Sequence, residues 1–203
     1  MSDIWISSDF HGYHKNLCDG SSAWDDKAGC RRFANAEEMT TTLIENVNKV
    51  VKDRDTLLHL GDWSFGGLDN ITKLRKSINC NNIQVWLGNH DKSRWFYSDE
   101  IKSLFQEIYN RPVNLKLAGH EFILWHYALL QWDRKHHGII NLFGHSHGTL
   151  NPWIQQHMPN TKMMDVGLDC HPEFRPFHLD EILEIMKHKV GDVLDHHNSR
   201  TPQ

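Results

Sequence analysis

Residues 83–91 read "IQVWLGNHD": an apolar run with the look of a buried strand stops, and Gly88, Asn89, His90 and Asp91 follow it. The same switch recurs along the chain. "IWIS" (4–7) runs into Ser8-Asp9-Phe10-His11, and "TLLHL" (56–60) runs into Gly61-Asp62. "EFILW" (121–125) ends in His126, and "IINLF" (139–143) ends in Gly144-His145-Ser146-His147. Five strand ends thus deliver Asp, His or Asn.

Helical patterns lie between them. Met39, Leu43, Val47 and Val50 recur at spacings of three to four over residues 36–52, with Glu37 and Glu38 in the first turn, which predicts an amphipathic helix. Shorter helices are expected over 69–78, 99–108 and 179–187, and a hairpin over 113–125 turning at Ala118-Gly119-His120. Strand, helix, strand argues α/β with a central sheet and a more β-rich second half. No Pro/Gly/Ser-rich linker divides the 203 residues, so one domain is expected over 1–190, followed by a polar tail over 191–203.

The 22 basic and 26 acidic residues leave a net charge of −4, which gives no basic footprint for long nucleic acid and no polybasic membrane patch. No apolar run approaches the length of a membrane span, and "MSDIWISSDF" lacks the plan of a signal peptide, so a soluble cytoplasmic protein is expected. Cys18, Cys30, Cys80 and Cys170 form no CxxC pair and fit reduced thiols; a Cys18–Cys30 bridge is the alternative. Nothing in the sequence sets the oligomeric state.

In open α/β sheets ligands bind beyond the carboxyl ends of the strands. Here those ends supply Asp9, His11, Asp62, Asn89, His126, His145 and His147. Carboxylate and amide oxygens mixed with imidazoles suit Mn, Fe, Zn or Co better than calcium, and the absence of thiolate argues against a structural zinc site. Seven candidate ligands are too many for one four-coordinate ion and fit two, with one carboxylate shared between them. Two divalent ions make a locally positive pocket in an acidic chain, where a phosphate would go.

The blocks "DFH" (Asp9, His11), "GDW" (Gly61, Asp62), "GNHD" (88–91), "WHY" (His126) and "GHSH" (144–147) stand in the order of the calcineurin-like metallophosphoesterases, which the sequence resembles. "DVGLD" (165–169) and "RPFHLDEI" (175–182) resemble the family's closing segment, so nearly the whole chain is covered. The resemblance implies a four-layer αββα sandwich of two mixed sheets flanked by helices. It implies two divalent ions, foremost Mn²⁺, with Fe, Zn, Ni, Co or Mg as alternatives. Asp9, His11 and His147 would hold the first and Asn89, His126 and His145 the second, with Asp62 bridging. A metal-bridging hydroxide would attack phosphorus while His90, not a ligand, protonates the leaving group, oriented by Asp91.

Four residues are candidates for substrate contact: Asn89, His59, His14 and Trp63. His59 and His14 also read as buried or supporting histidines, and Trp63 as pocket wall. Residues 17–33 form a long polar loop in which Trp24, Arg31 and Arg32 are further candidates, since loops on a rigid metal scaffold usually set specificity. Phe10, between two ligands on an extended segment, is expected to point away from the metals. Asp91 after His90 resembles the phosphodiesterase and nuclease branches, and no arginine follows the blocks to grip a monoester. The sequence therefore leans towards a phosphodiesterase on small nucleotide-type substrates. The alternatives are a phosphomonoesterase or protein phosphatase, a small nuclease on DNA or RNA, and a non-catalytic scaffold.

Overall fold

The computed structural model describes residues 2–191, and the polar tail lies outside them from residue 192 onward. Two sheets face each other. The first has strand order β4-β3-β2-β1-β9, built from β1 (Ile4–Ser7), β2 (Thr56–His59), β3 (Asn82–Trp86), β4 (Glu107–Tyr109) and β9 (Phe177–His178). The second is β5-β6-β7-β8, built from β5 (Val113–Leu117), β6 (His120–Leu124), β7 (Ile140–Phe143) and β8 (Met163–Asp165). Both are mixed: β1 to β4 run parallel with β9 antiparallel, and β6 to β8 run parallel with β5 antiparallel.

Period-two alternation explains the layers. On β1 and β2, Ile6 and Leu58 face the second sheet and meet Phe122, Leu124, Ile140 and Leu142, while Leu57 faces the other way. That outer face of the first sheet is covered by α1 (Ala36–Val50) and α2 (Leu68–Ser77) through Leu43, Val47, Ile71 and Leu74. The outer face of the second sheet carries Ile123 and Phe143 against Ile154 and Met158 of α5 (Asn151–His157) and the residue that follows it. The result is the expected αββα order. Each fully buried Leu or Val of these stripes contributes ~1.5–3 kcal/mol. Leu43→Ala, at a position with no exposure, would cost about 2–5 kcal/mol.

Local chemistry sets the element ends. Asn35 caps α1 by accepting the Glu38 N–H at 2.9 Å, and Glu38 Oε2 accepts the Ala34 N–H at 2.7 Å. Ala118 (φ 47°) and Gly119 (φ 83°) both adopt the left-handed region, as a two-residue hairpin turn that matches strand twist requires. The helix expected over 99–108 is a single turn, α4 (Asp99–Lys102), preceded by the equally short α3 (Ser93–Phe96). Beyond α4 the edge of β3 wins: Gln106 N–H donates to Ile83 O at 2.8 Å, β4 pairs in parallel, and Tyr109 packs on Trp86 with ring centroids 4.5 Å apart. The helix α6 (Leu179–Lys187) closes one end of the inter-sheet core with Leu179, Ile182 and Met186. All four cysteines are free thiols.

Candidate metal centre

Parallel strands in both sheets point their carboxyl ends at one edge of the sandwich, and backbone hydrogen bonds lock the ends together. Asp9 N–H donates to Gly61 O at 2.9 Å, His11 N–H to Asp62 O at 2.8 Å and Gly144 N–H to His126 O at 3.0 Å. Leu168 N–H donates to Ser8 O at 3.2 Å and ties the far end of the second sheet to the first. A side chain at Gly88 would collide with the Asp62 carboxylate, and one at Gly144 with Ser8 and Asp9, so these glycines exist to let ligands through.

Two groups of ligating atoms result, each within 4.8 Å: Asp9, His11 and His147, and Asp62, His126 and His145. Asn89 Oδ1 joins the second group, 2.9 Å from both His126 Nε2 and His145 Nδ1. Asp62 Oδ2 stands 3.5 Å from His11 Nε2 and 3.5 Å from His126 Nε2, so it belongs to both groups. Its other oxygen is held by the His90 N–H at 2.9 Å. Asp9 is oriented by the His145 N–H, at 3.1 and 2.9 Å from its two oxygens.

The donor set fits cations. His126 Nδ1 lies 2.8 Å from Leu60 O, and a carbonyl only accepts, so the proton is on Nδ1 and Nε2 is bare. That bare nitrogen faces Asn89 Oδ1 and Asp62 Oδ2, two further acceptors. Lone pairs converging on one point repel unless a positive ion sits among them. His147 is prepared in the same way: Asp169 Oδ2 takes its Nδ1 at 2.6 Å, leaving Nε2 to face His11 Nε2 at 3.1 Å. The residues present suit two divalent ions with oxygen and imidazole ligands.

The protein's own field makes the same statement. Burial, reinforced by the charges of Asp62 and Asp165, pushes Asp9 up to about 8, and burial pushes Asp62 up to about 6. Burial holds His11 well below the usual range and lowers His126 to about 4, and partial burial lowers His145, which favours neutral rings free to coordinate. Burial lowers His147 as well, but the Asp169 hydrogen bond and the nearby carboxylates outweigh it and the net shift is upward.

Five of these residues sit in left-handed backbone: Asp9 (φ 57°), His11 (φ 51°), Asp62 (φ 60°), His145 (φ 69°) and His147 (φ 47°). For non-glycine residues that conformation costs roughly 1–2 kcal/mol each, and its concentration at one site marks turns shaped for ligation.

Other expected site residues are placed differently. His90 is exposed, its ring 5.4 Å from that of His11 and 4.8 Å from that of Phe65. Asp91 does not orient it. Its buried carboxylate instead accepts the Asp62 N–H at 2.6 Å, the Gly88 N–H at 2.9 Å and the Trp63 N–H at 3.0 Å, and so pins two ligand loops together. His59 and Trp63 have no exposed surface and pack on each other and on Phe10, which leaves neither a face for substrate. Phe10 is turned into that core, as alternation predicts. His14 lies at the rim, its ring stacked on Phe65 at 3.6 Å and 6.0 Å from the His90 ring.

Arg31 is buried and also departs from expectation. It donates to Asp169 Oδ1 and Oδ2 at 2.8 Å each, to Phe10 O at 2.9 Å and to Asp9 O at 2.5 Å. Asp169 is the site residue that sequence reasoning misses. Burial would raise it, but His147 and Arg31 together hold it well below the usual carboxylate range. Its place in "DVGLD" is the available signal, and only the fold brings it under His147.

A family model described as calcineurin-like phosphoesterase matches residues 2–200, and the chain belongs to that family. An uncharacterized protein of Methanocaldococcus jannaschii is 28% identical over 192 residues, covering 92% of this chain and 93% of that protein. The gene 66 protein of Mycobacterium phage L5 is 26% identical over 212 residues, covering 93% and 96%. Among solved structures, a protein of unknown function from Aquifex aeolicus superposes with a TM-score of 0.66 at 20% identity, covering 91% of this chain and all of its own. That likeness extends the shared fold across the molecule.

Proposed function

We propose that this chain is a two-metal phosphodiesterase acting on small, nucleotide-type esters. The observation that carries the reading is Asp62 Oδ2 at equal distance, 3.5 Å, from an imidazole of each ligand group. Bound divalent ions, Mn²⁺ foremost, supply Lewis acidity and activate water near neutral pH. Asp9, His11 and His147 hold one ion, Asn89, His126 and His145 the other, and Asp62 is shared. Asp91, Asp169 and the carbonyl of Leu60 keep those groups in place.

His90 is the proton donor. It hangs at the open side of the centre from a peptide whose N–H is fixed by Asp62. Although the residue is exposed, partial desolvation of the ring lowers its pKa, with a smaller contribution from His147, so the ring needs a nearby anion to hold its proton. A phosphodiester in the cleft is such an anion, and the ring then protonates the departing alkoxide.

The diester preference rests on Arg31. Its guanidinium is committed to Asp169 and to the carbonyls of Asp9 and Phe10, so it offers nothing to the second negative charge of a monoester. Free thiols and the lack of a helix long and apolar enough to cross a membrane, among the described residues, fit work in a reducing cytoplasm. Parallel assays on bis-p-nitrophenyl phosphate and p-nitrophenyl phosphate with Mn²⁺ test the proposal. Diester turnover is expected to dominate; predominant monoesterase activity would overturn the substrate assignment.

A further inference from the structure

Beside the metal centre lies an open shelf of about 610 Å³, within the roughly 300–1,000 Å³ of small-ligand clefts. His145 and His147 line it together with the apolar side chains of Leu17, Trp24 and Leu150. Among the described residues no Lys, Arg, Asp or Glu lines it. The hydroxyls at its edge are already used, since Ser146 donates to Asp165 Oδ2 at 2.5 Å and Thr149 donates to Ser146 O at 2.6 Å. Apart from its two histidines the shelf thus carries no charged side chain and is weakly polar.

Trp24 is 45% exposed, yet its position is defined. Its backbone N–H donates to Ser22 Oγ at 3.1 Å, and its ring meets that of His14 edge-on at 5.9 Å. The base of its loop is closed by Arg31 N–H to Leu17 O at 2.7 Å and Asp19 N–H to Arg31 O at 3.0 Å. An exposed indole lining the same cleft as His145 and His147 offers a flat face to whatever group is attached to a phosphate bound there.

We infer that this shelf receives an uncharged, planar substituent of the ester, a nucleobase or similar ring, with Trp24 as the stacking face that sets specificity. The inference rests on the phosphoester reading above. It assigns no chemistry to Trp24: the residue binds the part of the substrate that does not react.

Titration calorimetry on the Mn²⁺-loaded protein separates the two ideas, with inorganic phosphate, methyl phosphate and adenosine 5′-monophosphate as probes. Adenosine monophosphate is expected to bind about tenfold or more tighter than methyl phosphate, the usual scale of one aromatic stack. Trp24→Ala should erase most of that difference while leaving phosphate affinity unchanged, and Trp24→Phe should keep most of it. A nucleotide that binds no tighter than methyl phosphate, or an advantage that survives Trp24→Ala, overturns the shelf alone. Absence of metal-dependent phosphate binding overturns the phosphoester reading and the shelf with it.

Discussion

The two halves of the metal centre differ in depth and in backing. In the Asp9 half, Asp9 and His11 are buried and His147 leans on a carboxylate that is itself clamped by Arg31. In the Asn89 half, Asn89 and His145 are exposed, and the one buried imidazole, His126, leans on a neutral carbonyl. A carboxylate behind an imidazole makes it a stronger donor than a carbonyl does. On the proposed assignment the deep half would retain its ion and the exposed half would exchange ligands, while the His90 ring stands nearer the deep half, 5.4 Å from that of His11.

The largest expected effect falls on His90, whose ring stands beside the deep half. His90→Asn should lower kcat by about 10²–10⁴ with two ions still bound by elemental analysis. A fully active variant, or one short of an ion, removes His90 from the role of proton donor. Next in size, Asp169→Asn should cost about 10–100-fold in metal affinity or activity, with the loss concentrated in the tighter of two binding phases. Equal weakening of both phases would break the distinction between the halves.

Proton competition follows. Asp9 stands at about 8 instead of its ordinary 3.8, and Asp62 at about 6, so the folded chain holds protons that the unfolded chain releases. Raised carboxyl pKa values make stability fall as pH rises: the cost is absent below about 3.8 and complete above about 8. Below about 6.5 the lowered histidines His11 and His126 contribute the opposite slope, so thermal melts in EDTA should show the decline between about pH 6.5 and 8; Mn²⁺ should reverse it there, and metal affinity should weaken on acidification. Melts insensitive to pH across the window would contradict this picture of Asp9.

The smallest effect concerns the turns. His147 has φ 47°, so in the presence of EDTA His147→Gly should be about 1 kcal/mol more stable than His147→Ala, near 2–4 °C in Tm for a chain of this size. Equal melting temperatures would show that the left-handed turn carries no strain.

Much of this is legible in the sequence. The strands that run into Gly61, Gly88 and Gly144 mark the ligand edge, because parallel strands that each stop at Asp, Asn or His deliver those groups to the same end of a sheet. What escapes depends on contacts distant in sequence. Asp169 and His147, or Arg31 and the carbonyls of Asp9 and Phe10, meet only after the two sheets close. Adjacency to His90 suggests that Asp91 touches it, whereas neighbouring residues at a tight turn point apart and this carboxylate finds three amides instead. The helix expected over 99–108 stops early because an open sheet edge satisfies that backbone better than a free helical turn. The left-handed turns carry only a weak compositional sign, since Asp and His enter that conformation more readily than most non-glycine residues.

Arg31 has one more consequence. It joins the foot of the loop that carries Trp24 to the backbone of Asp9 and Phe10 and to Asp169, so the loop is fastened at its root. On the proposed reading, residues 21–29 would then be a specificity segment that can be exchanged for another while the groups held by Arg31 beneath it keep their places.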